Sequence, residues 1–405
     1  MLRHGHQQLR LIKWLTYLMF LMFAMTTDAV GVIIPQIIKE FGLTLTQASA
    51  FHYAPMIAIA LSGILFGFLA DRFGRKTTII IGLTLFALAC TLFIVGTAFE
   101  FFVALLLLSG CAIGIFKTGA LALIGDISTS TKAHTATMNA VEGFFGVGAI
   151  IGPAIVAYLL TAGVSWKYLY LFAGIICVLL IITASLVKYP QTKQTAYTPI
   201  DPGRTFRMFS DPYALGFSLA IALYVATEVA IYVWMPTFLA DYTGSMTWLA
   251  TWALTIFFIL RASGRFLGAW VLTKLSWTLV MMVFSGAIFL CFLGSMLGGV
   301  SYAVFLLPLS GLFMSMIYPT LNSKGISCFQ KNEHGTVAGV ILFFTAVSAA
   351  LGPLLMGAVG DLFGHVRYGF ILATGFAGLL FLAMLFNHVR EPAANALKMA
   401  DETEY

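Results

Sequence analysis

The sequence predicts an all-α membrane protein of twelve transmembrane helices, and three observations predict it. Charged residues are only 9% of the chain and hydrophobic ones 60%, where a soluble domain carries about 25% charged residues. The apolar residues gather into twelve runs, at 14–38, 47–70, 77–98, 101–125, 136–162, 166–187, 212–240, 246–270, 277–297, 301–323, 335–359 and 367–388. Each is near or above the roughly 20 residues that a bilayer-spanning helix needs. Open sheets cannot satisfy their backbone in lipid, so such runs are helices. Finally, the two halves of the chain echo each other at a shift of about 200 residues.

The charges give an orientation. A net charge of +6 on a soluble protein would raise nucleic acid as a partner; here its placement gives another reason. With a cytoplasmic N-terminus and alternating spans, eighteen basic residues fall inside, among them Arg3, Arg72, Arg75, Lys76, Arg261 and Arg265. Only Lys39, Lys167 and Arg367 fall on the other side. This is the positive-inside pattern, and it places both termini in the cytoplasm. The five cysteines have neither metal nor disulfide spacing and read as small apolar packing residues.

Taken in order, the first run follows "MLRHGHQQLR" as a signal-peptide core would, but its length and place in the repeat predict that it is kept. Asp28 is its only charge, two residues or ~3 Å past its midpoint. The second run holds "SGILFG" (62–67), whose small residues let helices approach closely. Between the second and third runs lies "GFLADRFGRK" (67–76). In the fourth run Lys117 is the only ionisable residue besides Cys111, about 6 Å past the midpoint toward the cytoplasm. The fifth run carries Asn139 and Glu142, and ends its "FFGVGAIIGP" at Pro153. The sixth completes an N-terminal bundle over 1–187.

A polar stretch at 188–211, with three prolines and four basic residues, reads as a cytoplasmic linker. A C-terminal six-helix bundle follows over 212–390, then a cytoplasmic tail over 391–405. Glu228 is the only charge of the seventh run and sits two residues past its midpoint, as Asp28 does. Tyr224, Glu228 and Tyr232 recur every four residues and share a helix face. So do Trp248 and Trp252 in the eighth run and Tyr318 and Asn322 in the tenth; the two tryptophans suit a lipid interface as well as a site. "SGRFLG" (263–268) answers "SGILFG", "FTAVSAALGP" (344–353) answers "FFGVGAIIGP", and Thr227–Glu228 answers Thr27–Asp28. Two six-helix halves of this kind are the plan of many secondary transporters.

The loop at 67–76 resembles the signature loop of the major facilitator superfamily, matching at Gly67, Asp71, Arg72, Gly74, Arg75 and Lys76. The resemblance implies two pseudo-symmetric six-helix bundles, alternating access, and a gating role for this loop. Arg75 and Lys76 are also what any short basic cytoplasmic loop carries. "YVATEVAIYVW" (224–234), "GRFLGAWVL" (264–272), "IYPTLNSKGI" (317–326) and "GPLLMGAVGD" (352–361) are similar to the fucose/hexose proton symporter group. That group carries an acidic residue followed by threonine in span four, where this chain has Lys117–Thr118.

An unpaired charge at mid-membrane costs roughly 2.5–3.5 kcal/mol on insertion scales, so charges at matched depth need a reason. The functional reading is a wet cavity in which Asp28, Lys117 and Glu142 couple protons. Asp28, Lys117, Asn139, Tyr224, Glu228, Tyr232, Tyr318 and Asn322 would then hold the substrate. The competing reading is a structural ion pair between Asp28 and Lys117. The expectation is a proton-coupled symporter of a sugar or sugar acid. It has no cofactor, since the proton gradient, or a sodium gradient, supplies the energy. It works as a monomer, with the lipid bilayer and a small-molecule substrate as its partners and no nucleic acid. A proton-driven drug or metabolite efflux antiporter is the alternative, because "GAIIGP" matches part of the exporter signature; Val156 and Ala157 stand where its last two glycines belong. No nucleophile–base arrangement or metal-ligand spacing supports an enzyme.

Overall fold

A computed structural model describes residues 2–66, 69–128, 131–190, 208–329 and 334–397. Most of the linker (191–207), Gly67 and the end of the tail lie outside the described residues. Residue contacts divide the chain into two units, Met1–Leu43 with Ala50–Ala196, and Thr44–Ser49 with Tyr197–Tyr405.

In the first unit the opening span is two helices, α1 (Leu2–Thr27) and α2 (Val30–Phe41), interrupted at Asp28 and Ala29. α4 (Ala50–Leu65), α5 (Leu69–Arg72), α6 (Arg75–Leu92), α7 (Phe99–Ile127), α8 (Thr131–Thr161) and α9 (Lys167–Leu186) follow. α1 packs on α8, α4 and α6 both pack on α7, and α6 also packs on α9. Glycine makes the α1–α8 contact: a Cβ on Gly148 would overlap the Leu21 carbonyl oxygen, and one on Gly152 the Met25 carbonyl oxygen. Ser62 of "SGILFG" sits against Gly114 of α7 in the same way. At one end of the unit Phe51, Phe93, Phe102, Trp166 and Tyr170 form an aromatic core, in which the Phe93 and Tyr170 rings stack at 3.8 Å.

The second unit opens on α10 (Pro212–Leu239). Asp211 caps it, accepting from the Tyr213 and Ala214 N–H groups at 2.9 and 3.0 Å, with Pro212 at the first helical position. α11 (Thr247–Leu272), α12 (Trp277–Gly298), α13 (Val300–Met314), α14 (Ile317–Ser327), α15 (His334–Phe363) and α16 (Val366–Arg390) complete it. α13 and α14 are one span interrupted at Ser315 and Met316. α10 packs on α15, and α13 packs on both α11 and α12. The short helix α3 (Leu45–Ala48) clusters with this unit. The Asp361 carboxylate accepts from the Leu45 and Thr46 N–H groups at 2.7 and 2.8 Å, and Gly357 leaves room for the Leu45 backbone.

Among the described residues eleven spans are long and apolar enough to cross a membrane. The twelfth expected run appears as α4, whose 16 residues rise about 24 Å. Residues 67 and 68 beyond it lie outside the described set.

Candidate functional site

Each unit holds a group of charges within its spans, built from one continuous helix and one interrupted span. Glu228 of the second is buried, while in the first Asp28 and Lys117 are half-buried and Glu142 is exposed. In the first unit α7 runs unbroken through Lys117, and the interrupted span offers Asp28. Asp28 sits at the break itself. Its N–H still reaches the Ala24 carbonyl at 3.0 Å, and its Oδ2 lies 3.3 Å from the Thr27 hydroxyl. Lys117 is half-buried and its Nζ lies 5.8 Å from the Phe145 ring centroid, within cation–π range. Glu142, itself exposed, and Asp28 are the carboxylates whose charge reaches the ammonium. Among the described residues Lys117 forms no ion pair at 4.0 Å or closer. Asp28 and Lys117 therefore act on each other at longer range than an ion pair. The Asn139 side chain lies outside the described set.

In the second unit the roles of the helices are exchanged: α10 is unbroken at Glu228, while the tenth span is interrupted. Tyr224 and Glu228 lie one turn apart and both are buried. Glu228 Oε1 is 2.6 Å from the Tyr224 hydroxyl and 2.6 Å from Nη2 of Arg261, and the Tyr224 oxygen is also 2.9 Å from the Met314 carbonyl. This corrects the placing of Arg261 and Arg265 among the cytoplasmic charges. Both lie within α11, and Arg261 is the partner of the second buried acid. Its signal was related to that of Lys117: with Arg265 it interrupts an apolar run. Tyr232 is half-buried and stacks on Phe258 of α11 at 6.2 Å. Tyr318 and Asn322 are half-buried on α14. Trp248 is 59% exposed.

The signature loop is more than a basic turn. The Arg75 guanidinium is 6% exposed and its Nε pairs with Asp126 Oδ2 at the end of α7, 3.0 Å away. Lys76 Nζ donates to the Ser185 and Val187 carbonyls at 2.7 and 2.9 Å, satisfying acceptors at and just beyond the end of α9. Gly74 holds φ 81° before α6, a left-handed backbone that suits glycine. Arg72 is exposed, its guanidinium 5.5 Å from the Phe73 ring. Gly67 and the Asp71 side chain lie outside the described residues. Asp126, one residue past the fourth apolar run, was not among the expected site residues.

The described residues contain no group of three or more His, Cys, Asp and Glu side chains placed to hold a metal.

Comparison with known proteins adds the lineage. The profile of the Major Facilitator Superfamily matches residues 16–353. The quinolone resistance protein NorA of Staphylococcus aureus (strain MRSA252) is 25% identical over 364 residues, 85% of this chain and 89% of NorA. A putative glucose/galactose transporter of Helicobacter pylori (strain ATCC 700392 / 26695) is 24% identical over 394 residues, 92% of this chain and 94% of the relative. The crystal structure of the transporter FucP in an outward conformation superposes with a TM-score of 0.62 at 20% identity, over 94% of this chain and 99% of FucP.

Proposed function

This chain belongs to the Major Facilitator Superfamily, and on that premise we propose that it imports a small polar solute together with a proton, with a sugar or sugar acid as the cargo class. It is a multi-pass membrane transporter and not an enzyme. The observation that carries the reading is the half-buried ammonium of Lys117 within α7, the only charge between residues 101 and 125 of that span. Ionisable groups within spans are costly and mark pathways for ions and substrates.

In this reading Asp28 takes up a proton from outside. Its charge is lost, and the hold of the acids on Lys117 weakens, leaving the ammonium to bind an electronegative part of the cargo. Loss of the proton inside restores the first arrangement and resets the carrier. The lysine favours an acidic or strongly polar cargo over a plain hexose. Asn139, Tyr232, Tyr318 and Asn322 supply amide and hydroxyl groups for a polyhydroxylated ligand, and Glu228 with Tyr224 supplies the second acid. The proton gradient, or a sodium gradient, is the energy source, without a cofactor. The carrier works as a monomer in the bilayer and has no nucleic-acid partner.

The likeness to NorA supports a second reading, an antiporter that expels drugs or metabolites. Proteoliposomes given a proton gradient separate the two. Accumulation of a labelled sugar or sugar acid with the proton supports import. Extrusion of quinolones or dyes with no uptake of any sugar or sugar acid overturns it.

A further inference from the structure

Met314 is the last residue of α13, so its carbonyl is among those that a helix end leaves to outside donors. The span then breaks at Ser315 and Met316 before α14 begins. Two helices of the second unit grip this break. On α11, a Cβ at Gly264 would collide with the Leu312 carbonyl and Ser315, and one at Gly268 with the Met316 side chain. On α10, the Tyr224 hydroxyl lies 2.9 Å from the Met314 carbonyl oxygen and 2.6 Å from Glu228 Oε1. Arg261, which pairs with that same oxygen at 2.6 Å, precedes Gly264 by three residues and shares its helix face.

A tyrosine hydroxyl has one proton to donate, and here it has two acceptors. While Glu228 is ionised, the charge-assisted bond draws that proton to the carboxylate, and the Met314 carbonyl goes without it. When Glu228 takes up a proton, the acid becomes the donor. Tyr224 accepts from it and turns its own hydrogen to Met314. The ion pair with Arg261 is lost in the same event. Protonation thus strengthens one tie to the break and releases another on the helix that packs against it.

We propose that Tyr224 relays the protonation state of Glu228 to the break between α13 and α14, as a positioning residue. The proposal rests on the proton-coupled reading and adds a second acid to it. Among the helices packed on α10, α11 brings Arg261 and Arg265 to this cluster. The titratable groups of α14 are Tyr318 and, near its far end beside Cys328, Lys324. The titratable groups of α13, α15 and α16, such as Tyr302, Asp361 and His388, stand near helix ends.

The test is hydrogen–deuterium exchange of the purified full chain at about pH 8, read on peptides that cover residues 312–322. Glu228→Gln puts a neutral N–H donor where the protonated acid would be. Exchange just after the break should slow about five-fold, the worth of one ordinary hydrogen bond. Glu228→Ala, which leaves Tyr224 only Met314 to bond, should slow it likewise and stands in if the Gln variant does not fold. Adding Tyr224→Phe should remove the slowing. Unchanged exchange in both Glu228 variants, or slowing that survives Tyr224→Phe, overturns the relay. Proton-driven flux of the wild type is measured beside it. Flux with an indifferent break removes the relay alone, and absence of flux removes the proton reading and the relay together.

Discussion

Replacing Arg261 by Gln takes the cation away from a carboxylate whose side chain is 8% exposed. Removing one partner of a buried ion pair costs about 3–5 kcal/mol. The lower end applies here, because Arg261 is itself 25% exposed and the Tyr224 hydroxyl stays 2.6 Å from Glu228. A unit of this size loses about 2–4 °C in Tm per kcal/mol, so a cost of about 3 kcal/mol lowers the transition by about 6–12 °C. Tryptophan fluorescence during heating in detergent reads it. The double variant Glu228→Gln/Arg261→Gln leaves no buried charge and should melt well above Arg261→Gln alone, with a coupling energy above about 1 kcal/mol. A double variant that melts no higher than the single one would show that the pair contributes no coupling, and the reasoning would fail.

Two further outcomes follow from packing and from burial. Gly152→Leu forces a side chain into the Met25 backbone and should lower the Tm by the equivalent of at least about 1–3 kcal/mol, whereas Gly146→Ala, which meets nothing within 4 Å, should leave it unchanged. Cys328 lies just beyond the tenth span, and burial pushes its thiol up to about 11, with Asp211 raising it further and Lys324 opposing. Only the thiolate reacts, so alkylation of Cys328, followed by mass spectrometry, should be slow near neutrality and rise about tenfold per pH unit from pH 8 to 10.

Much of the fold was legible because lipid permits so few backbone solutions. Apolar runs gave the spans, and the seventh run begins at 212, the residue at which α10 starts. The interruptions were harder to read. Asp28 marks its break by charge, but Ser315 and Met316 carry no helix-breaking residue, and neither gives a signal in the sequence. In the site, single charges in apolar runs pointed to Lys117, Asp28 and Glu228. Arg261 shares its run with Arg265, and the pair read as cytoplasmic-side charges, because sign and sequence order do not give depth. How Glu142 and Asp28 are placed about Lys117 depends on how α8 is seated on α1, and so on packing at Gly148 and Gly152, which spacing alone does not fix. Arg75 and Lys76 looked like loop charges because their partners, Asp126 and the Ser185 and Val187 carbonyls, are 51 to 111 residues away.

The most direct test of the account is gradient-driven uptake by Asp28→Asn protein in proteoliposomes, measured beside the wild type with labelled sugars and sugar acids. The account predicts that the wild type accumulates at least one of them against its gradient. The variant, with no acid to titrate at position 28, should lose that accumulation while still exchanging cargo across the membrane. Accumulation by Asp28→Asn that keeps its full dependence on the proton gradient would contradict it.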